Sequence, residues 1–458
     1  MLGVKYKRIM STIVALATPQ GKSAIAVVRL SGGKVLEITR RLTRDDDFKP
    51  KPRYATLRKI YDPHTGDLID EVILTYFRSP HSFTGEDVVE ISCHGSPIVI
   101  HQILDACLRL DARMASPGEF SLRALHNGKI SLSQAEAIRD LIESQTLNAA
   151  RQSLRQMQGE LSNILQPLKD KLLEVIVLLE SALEFVEDDL PEYETMQIRA
   201  SLEEIIDRLL QIGSTFKTGK LLRQGLKVAF VGRPNVGKSS LFNALIGYER
   251  AIVTDIAGTT RDSLHESFSI EGIPISLIDT AGLRETQDIV ESIGVQRTKM
   301  AIADADLVIV VFDSSQQITE EDMQILSEVK SVPHLIAVNK IDIKKYELDG
   351  EIKEETVIRV SAKTGEGLDV LKKAIIQPFL TNSSEGEGFL ITDARHADLI
   401  NRAILEIRDS IGLLDKKVSE EMVLVGLHNA LRLLGQITGE VTTEDLLTKI
   451  FSTFCIGK

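Results

Sequence analysis

Cysteine is scarce in this 458-residue sequence, long apolar runs are missing, and positive charge is in deficit. The three cysteines, Cys93, Cys107 and Cys455, are too few and too scattered for a disulfide framework or a zinc cluster, which fits a reducing cytoplasm. No uninterrupted apolar stretch approaches the ~20 residues that cross a bilayer, so a soluble, cytoplasmic protein without a membrane span is expected. Lys5, Lys7 and Arg8 before a short apolar run imitate a secretion signal, yet Thr12 to Leu16 reads as a strand that leads straight into domain-like sequence. The formal net charge of −12 argues against a broad nucleic-acid-coating surface and leaves room for a local basic patch or a site shared with a partner. The length accommodates about three domains with sizeable cores.

What the chain does contain is an ordered set of four short motifs. Gly232-Arg-Pro-Asn235-Val236-Gly237-Lys238-Ser239 follows an apolar strand, Lys227 to Val231, and precedes a helical run from Ser240 to Ile246. This is the setting in which backbone N–H groups and a helix N-terminus cradle phosphates. Lys238 would neutralise the β- and γ-phosphates and Ser239 would supply an oxygen to Mg²⁺. Gly232 and Gly237 permit turns that a side chain would obstruct. Asp279-Thr280-Ala281-Gly282 ends a second strand, Ile275 to Ile278; Asp279 can hold the Mg²⁺ shell and Gly282 can donate its N–H to the γ-phosphate. Asn339-Lys340-Ile341-Asp342 and Ser361-Ala362-Lys363 come next. Asp342 can accept two hydrogen bonds from the N1 and 2-amino groups of guanine, which adenine cannot match, so GTP is favoured over ATP. Any one motif could be an ordinary turn after a strand; four in this order describe a guanine-nucleotide switch.

Periodicity divides the rest. Residues 1 to about 120 carry short β-rich runs, Ala24 to Leu30 and Asp87 to Ser92 among them, and read as a mixed α/β domain. From 121 to 218 the pattern is helical, with Ser133-Gln-Ala-Glu136 as a capping box. The acidic stretch Glu187 to Glu194 reads as a solvated turn. The nucleotide domain takes 219 to 380, and Thr381 to Gly388 is hinge-like in composition. Ala394 to Asp415 and Ser419 to Leu434 are again amphipathic, and Thr442-Thr-Glu-Asp445 opens a final short helix, so 381 to 458 form a second helical part. The economical interpretation is a Ras-like GTPase domain inserted into one helical domain; two separate helical units are the alternative.

Further segments carry a resemblance that runs essentially end to end. Ser82-Phe-Thr-Gly-Glu-Asp-Val-Val-Glu90, Pro117-Gly-Glu-Phe120, Asn127-Gly-Lys129, Gln134-Ala-Glu-Ala137, Thr254-Asp-Ile-Ala-Gly-Thr-Thr-Arg-Asp262 and Cys455-Ile-Gly-Lys458 resemble the MnmE (TrmE) family of tRNA-modification GTPases. One departure is Ser96, where a second glycine is expected after His94-Gly95. The resemblance implies an N-terminal folate-binding domain that makes a homodimer. It also implies a flavin-containing partner, MnmG (GidA), in a heterotetramer, and installation of an aminomethyl or carboxymethylaminomethyl group at carbon 5 of wobble uridine in certain tRNAs. The one-carbon donor would be a 5-formyl- or methylene-tetrahydrofolate. Its pocket maps onto Arg29, Glu90 and Lys129, with Lys458 reaching it from the chain end. Glu90 suits two hydrogen bonds from a pterin, and Arg29 and Lys129 suit carbonyl or carboxylate oxygens. Taken alone, these three read as surface ion-pair residues.

A hydrolytic mechanism is implied in the same way. Many small GTPases place a water-orienting Gln after Asp-x-x-Gly, but here the next residue is Leu283, which cannot polarise water. The family's solution is K⁺, held by the Asn235 side chain and by backbone oxygens of Thr254, Ile256 and Thr259 in the segment Thr254-Asp255-Ile256-Ala257-Gly258-Thr259-Thr260. A carbonyl cage can discriminate K⁺ from Na⁺. Thr260 fits the second protein contact to Mg²⁺, Ser240 and Val236 line the nucleotide, and Glu291 matches the family's water-activating glutamate. Cys455 is a candidate nucleophile toward carbon 6 of a pyrimidine, although no base stands beside it in the sequence. The alternative function is a regulatory GTPase of ribosome assembly whose flanking domains recruit partners.

Overall fold

The computed structural model describes residues 11–185, 192–248, 267–278, 302–343, 357–379, 388–416, 418–441 and 443–457. The chain divides into two compact units, one of Met1–Arg139, Gln156–Gln166 and Leu434–Lys458, the other of Asp140–Arg155 and Pro167–Leu433.

In the first unit, β1 (Ile13–Leu16), β2 (Ile25–Ser31), β3 (Ala55–Tyr61), β4 (Leu68–Phe77), β5 (Val88–His94) and β6 (Arg113–Met114) form one sheet in the order β3-β4-β5-β2-β1-β6. Helices α1 (Val35–Thr43) and α2 (Pro97–Arg109) cover one face, where Val28, Leu30, Val89 and Ile91 are buried with Ile38, Leu42 and Ile103. Strand alternation sends the intervening residues, Arg29 and Glu90, to the other face. The two are directly opposite in the antiparallel β2–β5 register. Toward β1 that second face is closed by α3 (Glu119–His126), whose Phe120 is buried with Ile13, Ala15 and Ala115.

Helix α4 spans Leu132–Glu143. Its capping box is Ser131 and Gln134, not Ser133 and Glu136 as the sequence suggested. The Gln134 N–H donates to Ser131 Oγ at 3.2 Å, and the Ser131 N–H donates to Gln134 Oε1 at 2.8 Å. Fully buried Leu132 packs with Leu447, Phe451 and Phe454, so the helix begins two residues earlier and Ser133 falls inside its first turn. Helices α5 (Leu147–Met157), α6 (Glu160–Phe185), α7 (Glu192–Ser214) and α8 (Phe216–Gln224) follow.

The second unit holds a six-stranded sheet in the order β12-β11-β10-β7-β9-β8, with β7 (Leu226–Val231), β8 (Ser267–Ile270), β9 (Ile273–Ile278), β10 (Leu307–Asp313), β11 (His334–Asn339) and β12 (Val357–Arg359). All pairs are parallel except β8–β9. Separate apolar clusters lie on its two faces, as expected for parallel strands buried on both sides. Among the described residues its helices are α9 (Lys238–Tyr248), α10 (Glu320–Val329) and α11 (Leu368–Ile376), followed by α12 (Ala394–Asp415), α13 (Glu420–Thr438) and α14 (Glu444–Phe451). The last begins at an N-cap, Thr443, which accepts from the Leu446 N–H. α12 runs as the periodicity indicated, whereas α9 starts two residues earlier than expected and so takes Lys238 and Ser239 into its first turn. No helix among the described residues is long and apolar enough to cross a membrane.

Candidate functional site

Parallel pairing brings the ends of β7, β10 and β11 together at one edge of the nucleotide sheet. The loop after β7 is shaped by two glycines. Gly232 has φ +151 and a Cβ there would meet the Val311 carbonyl oxygen at 2.4 Å; Gly237 has φ +96 and a Cβ would meet Asn339 Nδ2 at 2.3 Å. Between them Asn235 adopts the left-handed conformation at φ 64. The loop then runs into α9, so its N–H groups and the helix N-terminus share one cradle. Lys238 is half-buried and donates from Nζ to the Gly232 and Arg233 carbonyls at 2.6 and 2.8 Å. Burial pushes its ammonium below the usual lysine range, and Glu321 opposes part of that shift.

Asn339 ties three motifs to one another. Its Nδ2 donates to the Val236 carbonyl at 3.1 Å, and its Oδ1 accepts from the Ala362 N–H at 3.0 Å. Lys340 Nζ donates to the Asn235 carbonyl at 2.8 Å. Ser361 Oγ donates to Asp342 Oδ1 at 2.6 Å, which with some opposition from desolvation holds that exposed carboxyl below the usual range. Lys363 adds to the same effect. Four sequence-distant segments, 232–240, 313–315, 339–342 and 361–363, thus meet at one edge.

Sequence reasoning did not single out two contributors here. Asp313 closes β10 opposite Asn339 and pairs with Lys340. Arg233 donates to Asp322 Oδ1 at 2.8 Å, and Asp322 in turn closes the capping box of α10 with Thr319. An acidic residue ending the apolar run Leu307–Asp313 was the available signal for the first. Thr254 to Thr260, Asp279 to Gly282, Glu291 and Lys458 lie outside the described residues.

In the first unit, Arg29 Nε donates to Glu90 Oε1 at 2.8 Å, and its NH1 donates to the Gly457 carbonyl at 3.1 Å. The guanidinium also lies 5.8 Å from the Phe120 ring centroid. Gly457, at φ +99, sits so close to β1 that a Cβ would meet the Leu16 carbonyl oxygen at 2.3 Å. The Cys455 carbonyl accepts from the Gly118 N–H at 3.3 Å. Residues 455–457 are therefore laid against β1 and the Arg29 side chain of β2. Cys455 is exposed, whereas burial pushes the thiols of Cys93 and Cys107 up to about 11 and about 12. Lys129 is exposed, and its stem flanks Gly85.

A buried ionic network backs this face and accounts for several motif residues. Arg123, 2% exposed, donates to Glu86 Oε2 at 2.9 Å, to Glu119 Oε1 at 3.0 Å and to the Ser11 carbonyl at 2.7 Å. Arg113 forks onto Glu119 as well. Burial pushes the Glu119 carboxyl up, and the hydrogen bonds from Arg113 and the Ser116 N–H pull it down by more. Glu86 accepts from Ser31 Oγ, and Asn127 Nδ2 donates to the Thr84 carbonyl at 2.7 Å.

The family described as "MnmE helical domain" matches residues 132–455, and "GTP-binding protein TrmE N-terminus" matches residues 12–129. The tRNA modification GTPase MnmE of Aquifex aeolicus (strain VF5) is 46% identical over 97% of this chain and 99% of its own length. This chain belongs to the MnmE family of tRNA modification GTPases. The MnmE proteins of Koribacter versatilis (strain Ellin345) and Acetivibrio thermocellus are 43% and 40% identical, each over 98% of this chain and 99% of their own. Membership in the MnmE family makes the chain a GTP hydrolase of tRNA modification that uses GTP with Mg²⁺. It also fixes the fold class as an N-terminal α/β domain and a helical domain with an inserted Ras-like GTPase domain, in agreement with the sheets and helices above.

Proposed function

We propose that the chain is a K⁺-stimulated GTPase that works with a flavin-containing MnmG-type partner. Together they use a tetrahydrofolate one-carbon unit to add an aminomethyl or carboxymethylaminomethyl group at carbon 5 of wobble uridine in tRNA, in the cytoplasm. The observation that carries this reading is the pairing of half-buried Arg29 with Glu90 on the sheet face away from α1 and α2, with the C-terminal tail seated on the same arginine.

The residues fit both implied groups. Glu90 Oε1 is occupied by Arg29, and among the described residues Oε2 accepts no hydrogen bond, which leaves a carboxylate edge for the N–H groups of a pterin. Arg29 orients Glu90, Lys129 offers a cation at the rim, and the Gly457 carbonyl holds Arg29 in place. The family resemblance adds Lys458, next in sequence after Gly457, to this set. Tetrahydrofolate, when bound, supplies a one-carbon unit, and dimerisation through this domain would enclose it. In the GTPase domain, Asn235 is exposed, and among the described residues its side-chain amide makes no hydrogen bond. Its carbonyl is therefore available to K⁺, with backbone oxygens of Thr254, Ile256 and Thr259 completing the set.

For hydrolysis, the cradle of Asn235 to Ser240 binds the phosphates and Lys238 offsets their charge. Ser239, Thr260 and Asp279 would hold Mg²⁺ directly or through its water shell, and Gly282 would contact the γ-phosphate. Asp342, oriented by Ser361, selects guanine. Glu291 would orient the attacking water in place of the missing Gln. Cys455 is exposed on the tail and could approach a pyrimidine, whereas Cys93 and Cys107 are buried.

Two experiments test the reading. GTPase rates measured in KCl and NaCl are expected to differ by about tenfold or more for wild type and to converge for Asn235→Ala. Equal wild-type rates in the two salts remove the cation. Mass spectrometry of the wobble nucleoside in cells lacking the protein should show loss of the modification, restored by wild type but not by Asp279→Ala.

A further inference from the structure

Asp313 holds a buried negative charge that hydrolysis as described does not use. Its side chain is 0% exposed. Oδ1 accepts from the Ser315 N–H at 2.9 Å and from Ser315 Oγ at 2.6 Å, and Oδ2 accepts from Lys340 Nζ at 2.6 Å. The same ammonium donates to the Asn235 carbonyl at 2.8 Å. One lysine head is thus held between a buried carboxylate and the phosphate loop. Both residues joined by that bond, Asn235 and Lys340, are in left-handed backbone at φ 64. A residue with a Cβ keeps that conformation only where its surroundings over-determine it. Here part of that determination comes from the strand end of β10, because Ser314 Oγ also donates to the Lys340 carbonyl at 3.0 Å.

We propose that Asp313 is a positioning residue of the nucleotide site. Through Lys340 it fixes the backbone of Asn235, so that the base-contacting segment and the phosphate loop grip a guanosine di- or triphosphate as one hydrogen-bonded piece. The proposal rests on the reading of residues 339–342 as the base-contacting segment. A lysine without this counter-charge would turn to solvent, since an ammonium gains little from a lone carbonyl against water. The carboxylate makes its position single-valued and desolvates it at the same time. An amide at residue 313 would still accept from Ser315 but would present its own N–H groups to the ammonium. Asp313→Asn therefore breaks one link and leaves the local turn in place.

The test is stopped-flow release of N-methylanthraniloyl-GDP and -GTP from full-length wild type, D313N, K340M and D313N/K340M, with chemical unfolding of each without nucleotide. Release is expected to quicken by about tenfold or more in D313N and in K340M, with the double variant no faster than K340M alone. The nucleotide-free unfolding midpoint of D313N should move far less than its release rate, a split that a merely structural role would not produce. Wild-type release by D313N alongside fast release by K340M overturns the proposal, as does multiplication of the two effects in the double variant. Wild-type release by K340M instead overturns the reading of 339–342 on which it rests. Should D313N alone not fold, K340M against the double variant reads the same link: equal release rates support it, and faster release from the double overturns it.

Discussion

The nucleotide edge of the GTPase sheet and the Arg29–Glu90 face of the N-terminal sheet are built on opposite plans. At the first, the shape belongs to the backbone: Gly232, Gly237, Asn235 and Lys340 hold conformations that few residues adopt, and short hydrogen bonds lock the strand-end loops together. At the second, the backbone is ordinary extended strand, and specificity lies in side chains placed opposite one another, Arg29 and Glu90, with a tail from the far end of the chain. A backbone-built cradle suits phosphates, which every guanine nucleotide presents alike. A side-chain-built face suits a ligand recognised by a particular pattern of donors and acceptors.

The contrast predicts separable losses. Lys238→Ala should cut GTP hydrolysis by about a hundredfold or more while leaving 5-formyltetrahydrofolate binding to the first unit as in wild type; loss of both would mean that the plans are not independent. Next in size is Arg123→Met. It strands Glu86 without its guanidinium and leaves Glu119 with Arg113 alone, and chemical denaturation should show a loss of about 3–5 kcal/mol. The side-chain-built face should fail with it.

Acid gives the third effect, in the helical part of the other unit. Burial pushes the Asp393 carboxyl up, but the charges of His396 and Arg223 and the hydrogen bonds from Arg223 and the Arg395 N–H bring it down to about 2. A folded pKa below the unfolded one adds stability at pH above about 4, about 2 kcal/mol here, and that contribution disappears as pH falls from about 4 to about 2. Asp393→Asn should remove this part of the acid sensitivity in a pH series of unfolding free energies, while GTP turnover at neutral pH discriminates a local from a transmitted effect. Smallest is Thr443→Ala, which deletes the cap of α14 and should cost about 1 kcal/mol, read as weaker folate binding through a looser tail with GTP turnover intact.

The same difference decides what could be read from the sequence. Phosphate-loop chemistry is contiguous, so Gly232 to Ser239, Asn339 to Asp342 and Ser361 to Lys363 announced themselves by spacing. Arg29 and Glu90 stand 61 residues apart, and only resemblance to a family brought them together. Asp313 went unread because a single carboxylate after an apolar run has no pattern of its own. At α4, Ser131…Gln134 and Ser133…Glu136 satisfy the same capping rule; the choice depended on Leu132, whose burial is a property of the packed unit rather than of the local sequence. Helix existence was legible from periodicity in the helical parts but not at α1, α2 and α3 of the N-terminal domain, and α12 matched to the residue, because its long amphipathic run starts where its cap, Asp393, sits.

The most direct measurement is calorimetric titration of 5-formyltetrahydrofolate into full-length wild type and Glu90→Gln, with GTP turnover assayed on the same preparations. Binding by wild type, its loss by about tenfold or more in Glu90→Gln, and equal GTP turnover in both are expected. Absence of binding to wild type, or equal binding by both proteins, would contradict a one-carbon site built on the Arg29–Glu90 pair.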